Sequence, residues 1–539
     1  MSQLSSGTSR MAEGQLRLQP LNIVLAGPPG AGKSAVGRLL GERLGREFVD
    51  TDAIVERMAG KPIHQIFEED GELTFRRMEI EACRQVAEPA DRVIACGGGA
   101  LMDEGNRILI EAGGALVCLT GEPKVLLARL EQDGSSRPLL AGEGPGEHLQ
   151  ALLESRQDKY ESIPVQLDTT ALTIEEVAER IADYPLSRRT VRMTARRPRP
   201  GYEVLLGEGL IANLSTWLEQ AQLSPPYVVV SDSNVAPLYE GVTRKSLECS
   251  FVTVPAGEEH KSQETLSDLY TAFMAAGLDR SSTVIALGGG VLLDLAGFAA
   301  ATYMRGIRWA ALPTTLLATV DASLGGKVGI NLEGGKNLVG AFHAPSIVLA
   351  DLTTLATLPE EGTRTGLAEM IKAALIGDAD LFARMESGPQ WISRSWIQRA
   401  MEVKLSIVDE DPNESDRRAA LNLGHTFAHG LEAASHFSLP HGQAVSVGLV
   451  GATRLAYALG CCEADLPDRV QNVLLRFGLP MSYSGLDTEQ IMDSMKTDKK
   501  RREGRSQFVI PIHPGQVETG IEAPESLIRD VVDGLRETR

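Results

Sequence analysis

The sequence predicts an α/β protein in three parts, two domains built on parallel sheets followed by an all-helical one, and three stretches carry that expectation. Leu21 to Ala26 is a short apolar run that leads straight into Gly27-Pro28-Pro29-Gly30-Ala31-Gly32-Lys33-Ser34 and then the amphipathic VGRLLGERLG, in the order strand, glycine-rich turn, helix. From Tyr202, apolar runs such as YVVVSD, FVTVPAG and TVIALGGG alternate with helical patterns such as IANLSTWLEQ and LSDLYTAFMAAG, as expected of a parallel sheet with helices on its faces. Beyond Pro359 the pattern is mostly helical to the end. That region encloses LNLGHTFAHGLEAASHFSLPH, Leu421 to His441, which gathers four of the chain's nine histidines.

Composition narrows the function classes. With 539 residues, 43% of them apolar, the chain is long enough for about three or four domains. A formal charge of -19 argues against a nucleic-acid or membrane binder, while a locally basic cleft could still take anionic small molecules. Six cysteines without a C-x-x-C pair, two of them the adjacent Cys461 and Cys462, suggest neither a disulfide framework nor a cysteine zinc site, and fit a reducing cytoplasm. Residues 1–20 are Ser-rich and polar, an expected disordered tail without a signal-peptide core, and no run of ~18 apolar residues follows.

In the first domain the glycines, Gly30 and Gly32 among them, let backbone N–H groups wrap a polyphosphate at a helix N-terminus. Lys33 is placed to neutralise its outer phosphates and Ser34 to ligate Mg²⁺. Phe48-Val49-Asp50-Thr51-Asp52 ends a strand with two carboxylates on one side. Then come Phe75-Arg76-Arg77, Cys96-Gly97-Gly98-Gly99-Ala100, Arg137-Pro138-Leu139-Leu140 and Arg156. Each arginine alone reads as a solvated surface charge. Together, their order and spacing resemble shikimate kinase, over residues 21–185. The resemblance implies a P-loop kinase domain using ATP with Mg²⁺, Asp50 beside Ser34 near the ion, and Asp52, Arg76, Gly98, Gly99 and Arg156 on shikimate. It also implies Arg137 in a lid over the phosphates, and the Gly/Pro-rich stretch 133–146 independently reads as a lid. Asp52 is then a candidate base for the accepting hydroxyl.

The join, residues 186–201, lies in PLSRRTVRMTARRPRPG, with six arginines, three prolines and no acidic residue. It is expected to be a linker or an extended edge strand.

In the second half, Asp232 ends one strand, Glu258 and Lys261 another, and Gly288-Gly289-Gly290 a third, before a helix containing Asp294. An acidic strand end suits ribose hydroxyls and a glycine turn opening a helix suits a pyrophosphate, so a dinucleotide is expected. Arg305, Asp321, Lys327, Lys336 and Asn337 follow among Gly and small apolar residues, too charged for a bland buried strand. In the helical part, His425 and His429 are four apart and share a helix face, His441 follows the Leu439-Pro440 break, and Glu369 is the best-placed carboxylate upstream. Two histidines, a carboxylate and an open position make a catalytic zinc set.

With Lys372, Lys404 and Arg418 also in view, residues 202–539 resemble 3-dehydroquinate synthase. The resemblance implies a Rossmann-like NAD-binding α/β domain, 202–358, and a metal- and substrate-binding helical domain, 359–539, with NAD⁺ and Zn²⁺ or Co²⁺ in the cleft between them. It makes Glu369, His425 and His441 the metal ligands and His429 a catalytic residue near the substrate. NAD⁺ falls to Asp232, Glu258, Lys261, Gly289, Gly290, Asp294, Thr314, Thr315, Asp321, Lys336 and Asn337. Substrate hydroxyls, carboxylate and phosphate fall to Asp321, Lys327, Asn337, Lys372, Lys404, Arg418 and Asn422, with Arg305 also on the phosphate.

Two departures stand out: Ala256 where the family usually has Asp, and Leu293 where it has Gly, beside the expected pyrophosphate turn. The implied chain phosphorylates shikimate and converts a heptulosonate phosphate to 3-dehydroquinate with NAD regenerated in each turnover. Its partners are small molecules, neither nucleic acid nor membrane, and a homodimer through the synthase-like half is allowed. Another sugar-phosphate cyclase or a polyol dehydrogenase remains open for the second half, and a regulatory ATP-binding module for the first.

Overall fold

The computed structural model describes residues 22–87, 92–133, 145–163, 165–183, 190–196, 201–333, 335–387, 392–414, 417–500 and 507–537. They form two compact units that part at Thr190. The expected N-terminal tail, and Arg137 with most of the expected lid, lie outside the described residues.

In the first unit, strands β1 (Asn22–Ala26), β2 (Glu47–Asp50), β3 (Arg92–Ala95), β4 (Gly114–Thr120) and β5 (Val165–Asp168) form one parallel sheet in the order β2-β3-β1-β4-β5. β1 is central because every residue of it can be buried. Val24 and Ala26 join Ile94, Leu116 and Cys118 in one core, while Ile23 and Leu25 join Val93, Val117 and Leu119 in the other. A period of two therefore serves both faces. Because Asp50 and Leu25 both stand level with Ala95, the segments that leave β1, β2 and β3 emerge side by side at one sheet edge.

The second unit opens with β6 (Val191–Ala195), β7 (Tyr202–Gly207), β8 (Tyr227–Asp232), β9 (Ser250–Val254), β10 (Thr283–Gly288) and β11 (Arg308–Pro313). A hairpin of β12 (Lys327–Leu332) and β13 (Gly335–Phe342) follows, then β14 (Ile347–Asp351). The main sheet runs β6-β7-β14-β11-β10-β8-β9, parallel except for the β6–β7 pair. Thus Val191–Ala195, inside the stretch expected as a linker, is an edge strand of this sheet. Met193 and Ala195 are buried there, so the second of the two readings of the join holds for these residues.

Asp232 pairs with Val254, and Gly288 with Pro313. The segments carrying Asp232, Glu258, Gly289 and Thr314 consequently leave the sheet together, at the strand C-termini where α/β sheets bind ligands. The helical region begins with Glu360–Gly377 and includes Arg394–Glu410, His425–Ala434 and His441–Ala458. It shares one continuous core with the sheet and also carries a hairpin, β15 (Phe508–His513) with β16 (Gln516–Ile521), which the helical pattern had concealed. Among the described residues, no helix is long and apolar enough to cross a membrane.

Candidate functional site

In the first unit the glycine-rich turn folds as expected. Gly30 and Gly32 have φ of 80° and 86°, a region L side chains avoid, and Gly32 caps the helix Lys33–Leu44. Lys33 Nζ reaches back across the turn to donate to the carbonyls of Gly27 (2.8 Å) and Pro28 (3.0 Å). Ser34 Oγ donates to Asp50 Oδ2 at 2.6 Å, and Asp50 Oδ1 caps the next helix by accepting from the Asp52 N–H at 3.0 Å. A hydroxyl and a carboxylate oxygen so close, at the mouth of a phosphate loop, fit Mg²⁺, which seeks oxygen ligands.

The Gly97–Gly99 turn connects the other expected residues. A Cβ on Gly97 would stand 2.2 Å from Asp52 Oδ1, and one on Gly99 would stand 2.7 Å from Arg76 Nη1. Arg156 Nη1 and the Tyr160 hydroxyl donate to the Gly98 carbonyl at 2.7 and 2.8 Å. Asp52, Arg76, Gly98, Gly99 and Arg156 are thereby brought together. Two partners escaped the sequence reading: Tyr160, one helical turn past Arg156, and buried Glu79, three residues past Arg76 and 2.8 Å from it. Burial raises the Glu79 carboxyl even against the Arg76 charge.

In the second unit a cleft of 1320 Å³ is lined by Asp232, Glu258, Lys261, Gly289, Gly290, Asp294, Thr314, Thr315, Asp321, Lys336 and Asn337 from the α/β side. His429, Glu432 and His441 line it from the helical side. Every residue expected on the dinucleotide is therefore on its wall. Gly289 caps the helix Gly290–Thr302, and a Cβ there would stand 3.2 Å from Thr315 Cγ2, so the turn keeps a cradle that a side chain would fill. This fits a pyrophosphate at a helix start. Leu293 is 1% exposed in the core, whereas Ala256 lines the cleft, so of the two departures only Ala256 faces it.

Glu369, His425 and His441 offer ligand atoms within 4.8 Å of one another. Glu369 Oε1 lies 3.7 Å from His425 Nε2 and 3.4 Å from His441 Nε2. Gly442 explains the approach. A Cβ on it would stand 2.3 Å from Thr365 Cα, so only glycine lets the helix His441–Ala458 start against the helix Glu360–Gly377. The other imidazole nitrogens are anchored, His425 Nδ1 3.2 Å from the Leu423 carbonyl and His441 Nδ1 3.3 Å from Glu432 Oε1.

Both Glu369 oxygens are buried, one in an ion pair with Lys372 and the other turned to the two histidines. A buried carboxylate facing two anchored imidazole nitrogens fits a zinc-type ion. Burial alone would raise the Glu369 carboxyl, but the Lys372 charge and the neighbouring His441 hold it well below the usual range. Burial, then the Lys372 charge, pushes His425 down to about 3, leaving it neutral. His441 is held up at about 10, against burial, by Glu369 and Glu432. His429 stands beside His425, ring centroids 5.5 Å apart, and outside the three-residue set, so the pairing that i, i+4 spacing favoured is not the one folded.

The substrate residues divide. Lys404 Nζ contacts Asp321 through both the carboxylate and, at 2.8 Å, the backbone carbonyl, and burial lowers its pKa. Lys327 pairs with Glu414 at 2.5 Å. Arg418 is buried with its guanidinium donating to the carbonyls of Pro412 (2.9 Å) and Gly325 (3.3 Å), since a buried guanidinium needs acceptors. Arg305 is exposed in the turn Tyr303–Arg305. Of the residues expected on the substrate, Asp321 and Asn337 line the cleft, and Lys327, Lys372, Lys404, Arg418, Asn422 and Arg305 do not. Glu432 and Asn331, which hold its walls, were not singled out for a role by sequence, although Glu432 stands two helical turns past His425.

Residues 29–184 match the family model described as shikimate kinase. Residues 251–365 and 366–501 match those described as 3-dehydroquinate synthase N-terminal and C-terminal. The 3-dehydroquinate synthase of Synechococcus sp. (strain ATCC 27144) is 38% identical over 365 residues, covering 64% of this chain and 99% of that one. That of Symbiobacterium thermophilum is 40% identical over 350 residues, covering 62% and 98%. Among solved structures, the 2-epi-5-epi-valiolone synthase of Streptomyces hygroscopicus subsp. jinggangensis 5008, with NAD⁺ and Zn²⁺ bound, is 28% identical with a TM-score of 0.58, covering 63% of this chain and 98% of that one.

Proposed function

The chain belongs to the 3-dehydroquinate synthase family and carries a shikimate kinase domain ahead of it, and on that premise we propose which two reactions this shikimate-pathway enzyme performs. The first unit transfers the terminal phosphoryl group of ATP to the 3-hydroxyl of shikimate. The second unit converts 3-deoxy-D-arabino-heptulosonate 7-phosphate to 3-dehydroquinate and phosphate.

For the kinase step, Ser34 and Asp50 would hold Mg²⁺, Lys33 and the loop amides would hold the phosphates, and Asp52, Arg76 and Arg156 orient shikimate beside them. Positioning and charge neutralisation are most of what phosphoryl transfer needs. Arg137 is assigned to the phosphates by the same proposal.

For the synthase step, Glu369, His425 and His441 would hold Zn²⁺ or Co²⁺, and the Gly289 turn with Asp232, Lys261 and Asn337 would hold NAD⁺. Bound there, the ion supplies Lewis acidity and NAD⁺ a reversible hydride acceptor. His429, exposed to the cleft beside His425, moves substrate protons. Lys372 and Lys404, kept in place by Glu369 and Asp321, offer cations to the substrate's anionic groups.

The observation that carries the reading is that His441, one member of the close Glu369–His425–His441 set, stands on the wall of the same cleft as the glycine turn and the Lys261–Asp294 pair. The valiolone synthase with NAD⁺ and Zn²⁺ bound supports both cofactors. All six cysteines are free thiols, in keeping with a cytoplasmic setting.

The test is product analysis with each substrate supplied separately to the purified chain. Shikimate 3-phosphate with ADP, and 3-dehydroquinate with phosphate and no net NADH, are expected. Net NADH would indicate a polyol dehydrogenase, a different ring product another sugar-phosphate cyclase, and ATP binding without phosphoryl transfer a regulatory first domain.

A further inference from the structure

Asn331 sits where the β12–β13 ladder loses register, between the Ile330–Val339 and Leu332–Gly335 pairs. There the chain opposite takes an irregular path, and Asn337 adopts a φ of 55°, a left-handed conformation that asparagine tolerates better than most residues. Its N–H, out of the ladder, donates to Asn331 Oδ1 at 2.8 Å. The other end of the same amide, Nδ2, donates to Glu258 Oε1 at 2.7 Å, and the Asn331 backbone N–H donates to the Lys261 carbonyl at 2.8 Å.

The ring closes through Lys261, whose Nζ donates to Asn337 Oδ1 and to Asp294 Oδ2, both at 2.5 Å. One side chain thus ties the loop after β9, which carries Glu258 and Lys261, to the hairpin that carries Asn337. Glu258, Lys261, Asn337 and Asp294 all line the cleft, while Asn331 does not.

We propose that Asn331 is the positioning residue that sets the spacing between these two segments and so pre-forms the dinucleotide side of the cleft. The inference rests on the reading of that side as the NAD⁺ site. The chemistry required of the residue is narrow, an acceptor for a backbone N–H on one atom and a donor to a carboxylate on the next. Aspartate has the same shape but lacks the donor, and would set a second carboxylate against Glu258. Alanine supplies neither, leaving Asn337 to relax out of its left-handed conformation and Lys261 to keep only Asp294 of its two partners.

The experiment measures the Kd for NAD⁺ by titration calorimetry on the zinc-loaded full chain, with metal content and circular dichroism as controls that the fold and the other wall persist. Asn331→Ala and Asn331→Asp should each weaken NAD⁺ about tenfold at unchanged zinc stoichiometry, with KM for NAD⁺ rising more than kcat falls.

Asn331→Asp combined with Glu258→Gln reverses donor and acceptor between the two side chains. It should bind within about threefold of Glu258→Gln alone, a rescue that a merely structural role would not produce. Should Asn331→Ala not fold, the isosteric Asn331→Asp and its rescue still decide. NAD⁺ bound by both folded single variants within twofold of the parent, or no rescue in the double variant, overturns the inference alone. A parent chain that does not bind NAD⁺ overturns the functional reading and the inference with it.

Discussion

Replacing Glu432 with alanine should weaken metal binding by roughly 10–100-fold without touching a ligand. The carboxylate is buried, and its Oε1 lies 3.3 Å from His441 Nδ1, while Nε2 of the same ring faces Glu369 at 3.4 Å. An N–H directed to a carboxylate fixes the tautomer, keeps the Nε2 lone pair toward the ion and raises its basicity. Such a charge-assisted hydrogen bond contributes about 1.5–3 kcal/mol, and passing most of it to the ion gives the stated loss. Because Glu369, His425 and His441 all remain, the variant should still bind stoichiometrically at high zinc. Glu432→Gln, which keeps an acceptor but not the charge, should fall between parent and alanine.

Competition against a chromophoric chelator measures the affinity, and the visible spectrum of the Co²⁺-loaded protein reports whether the coordination geometry has changed. Alanine and parent affinities within about threefold would refute the reasoning, since His441 would then be oriented by packing alone. A total loss of binding would also count against it, by placing Glu432 among the ligands.

Three further outcomes follow from the same geometry. Lys33→Ala should abolish shikimate phosphorylation and leave 3-dehydroquinate formation nearly unchanged, because Lys33 belongs to the phosphate loop of the first unit; parallel rate assays with the two substrates check it, and comparable loss in both fails it. Glu369→Ala and His441→Ala should lose bound metal with the synthase activity, whereas His429→Ala should keep the metal and turn over slowly; elemental analysis of the three proteins decides, and equal metal loss would contradict the assignment. Dividing the gene between Asp183 and Thr190 should give two soluble proteins with kcat/KM within about threefold of the parent, roughly 0.6 kcal/mol. Neither proposed product is the other half's proposed substrate, so nothing passes directly between them. Dividing it at Arg196 instead removes β6 from the seven-stranded sheet, and that synthase fragment should melt at a lower temperature than one beginning at Thr190; equal melting temperatures would mean the strand contributes nothing.

By itself the sequence determined whatever lies within one contiguous segment or at the end of one strand. The phosphate loop is such a case, since strand, glycines, Lys33 and helix follow one another and their chemistry is local. The same holds for Asp232, Glu258 and Gly289, each legible as the polar end of an apolar run, and for the alternation that predicts both parallel sheets. Spacing alone proposed His425 with His429, because periodicity reports which residues share a face of one helix and carries no distance between helices.

The family resemblance had already named His441; the tertiary structure supplies the reason, the close contact of Gly442 with Thr365, and it chose Glu432 to orient the ring. It also placed Asn331 between Glu258 and Asn337, turned Lys327 to Glu414, left Arg305 exposed and made part of the arginine-rich join an edge strand. In each of these the deciding partner lies on another element, so the outcome was set by packing and by the need of buried polar groups for partners.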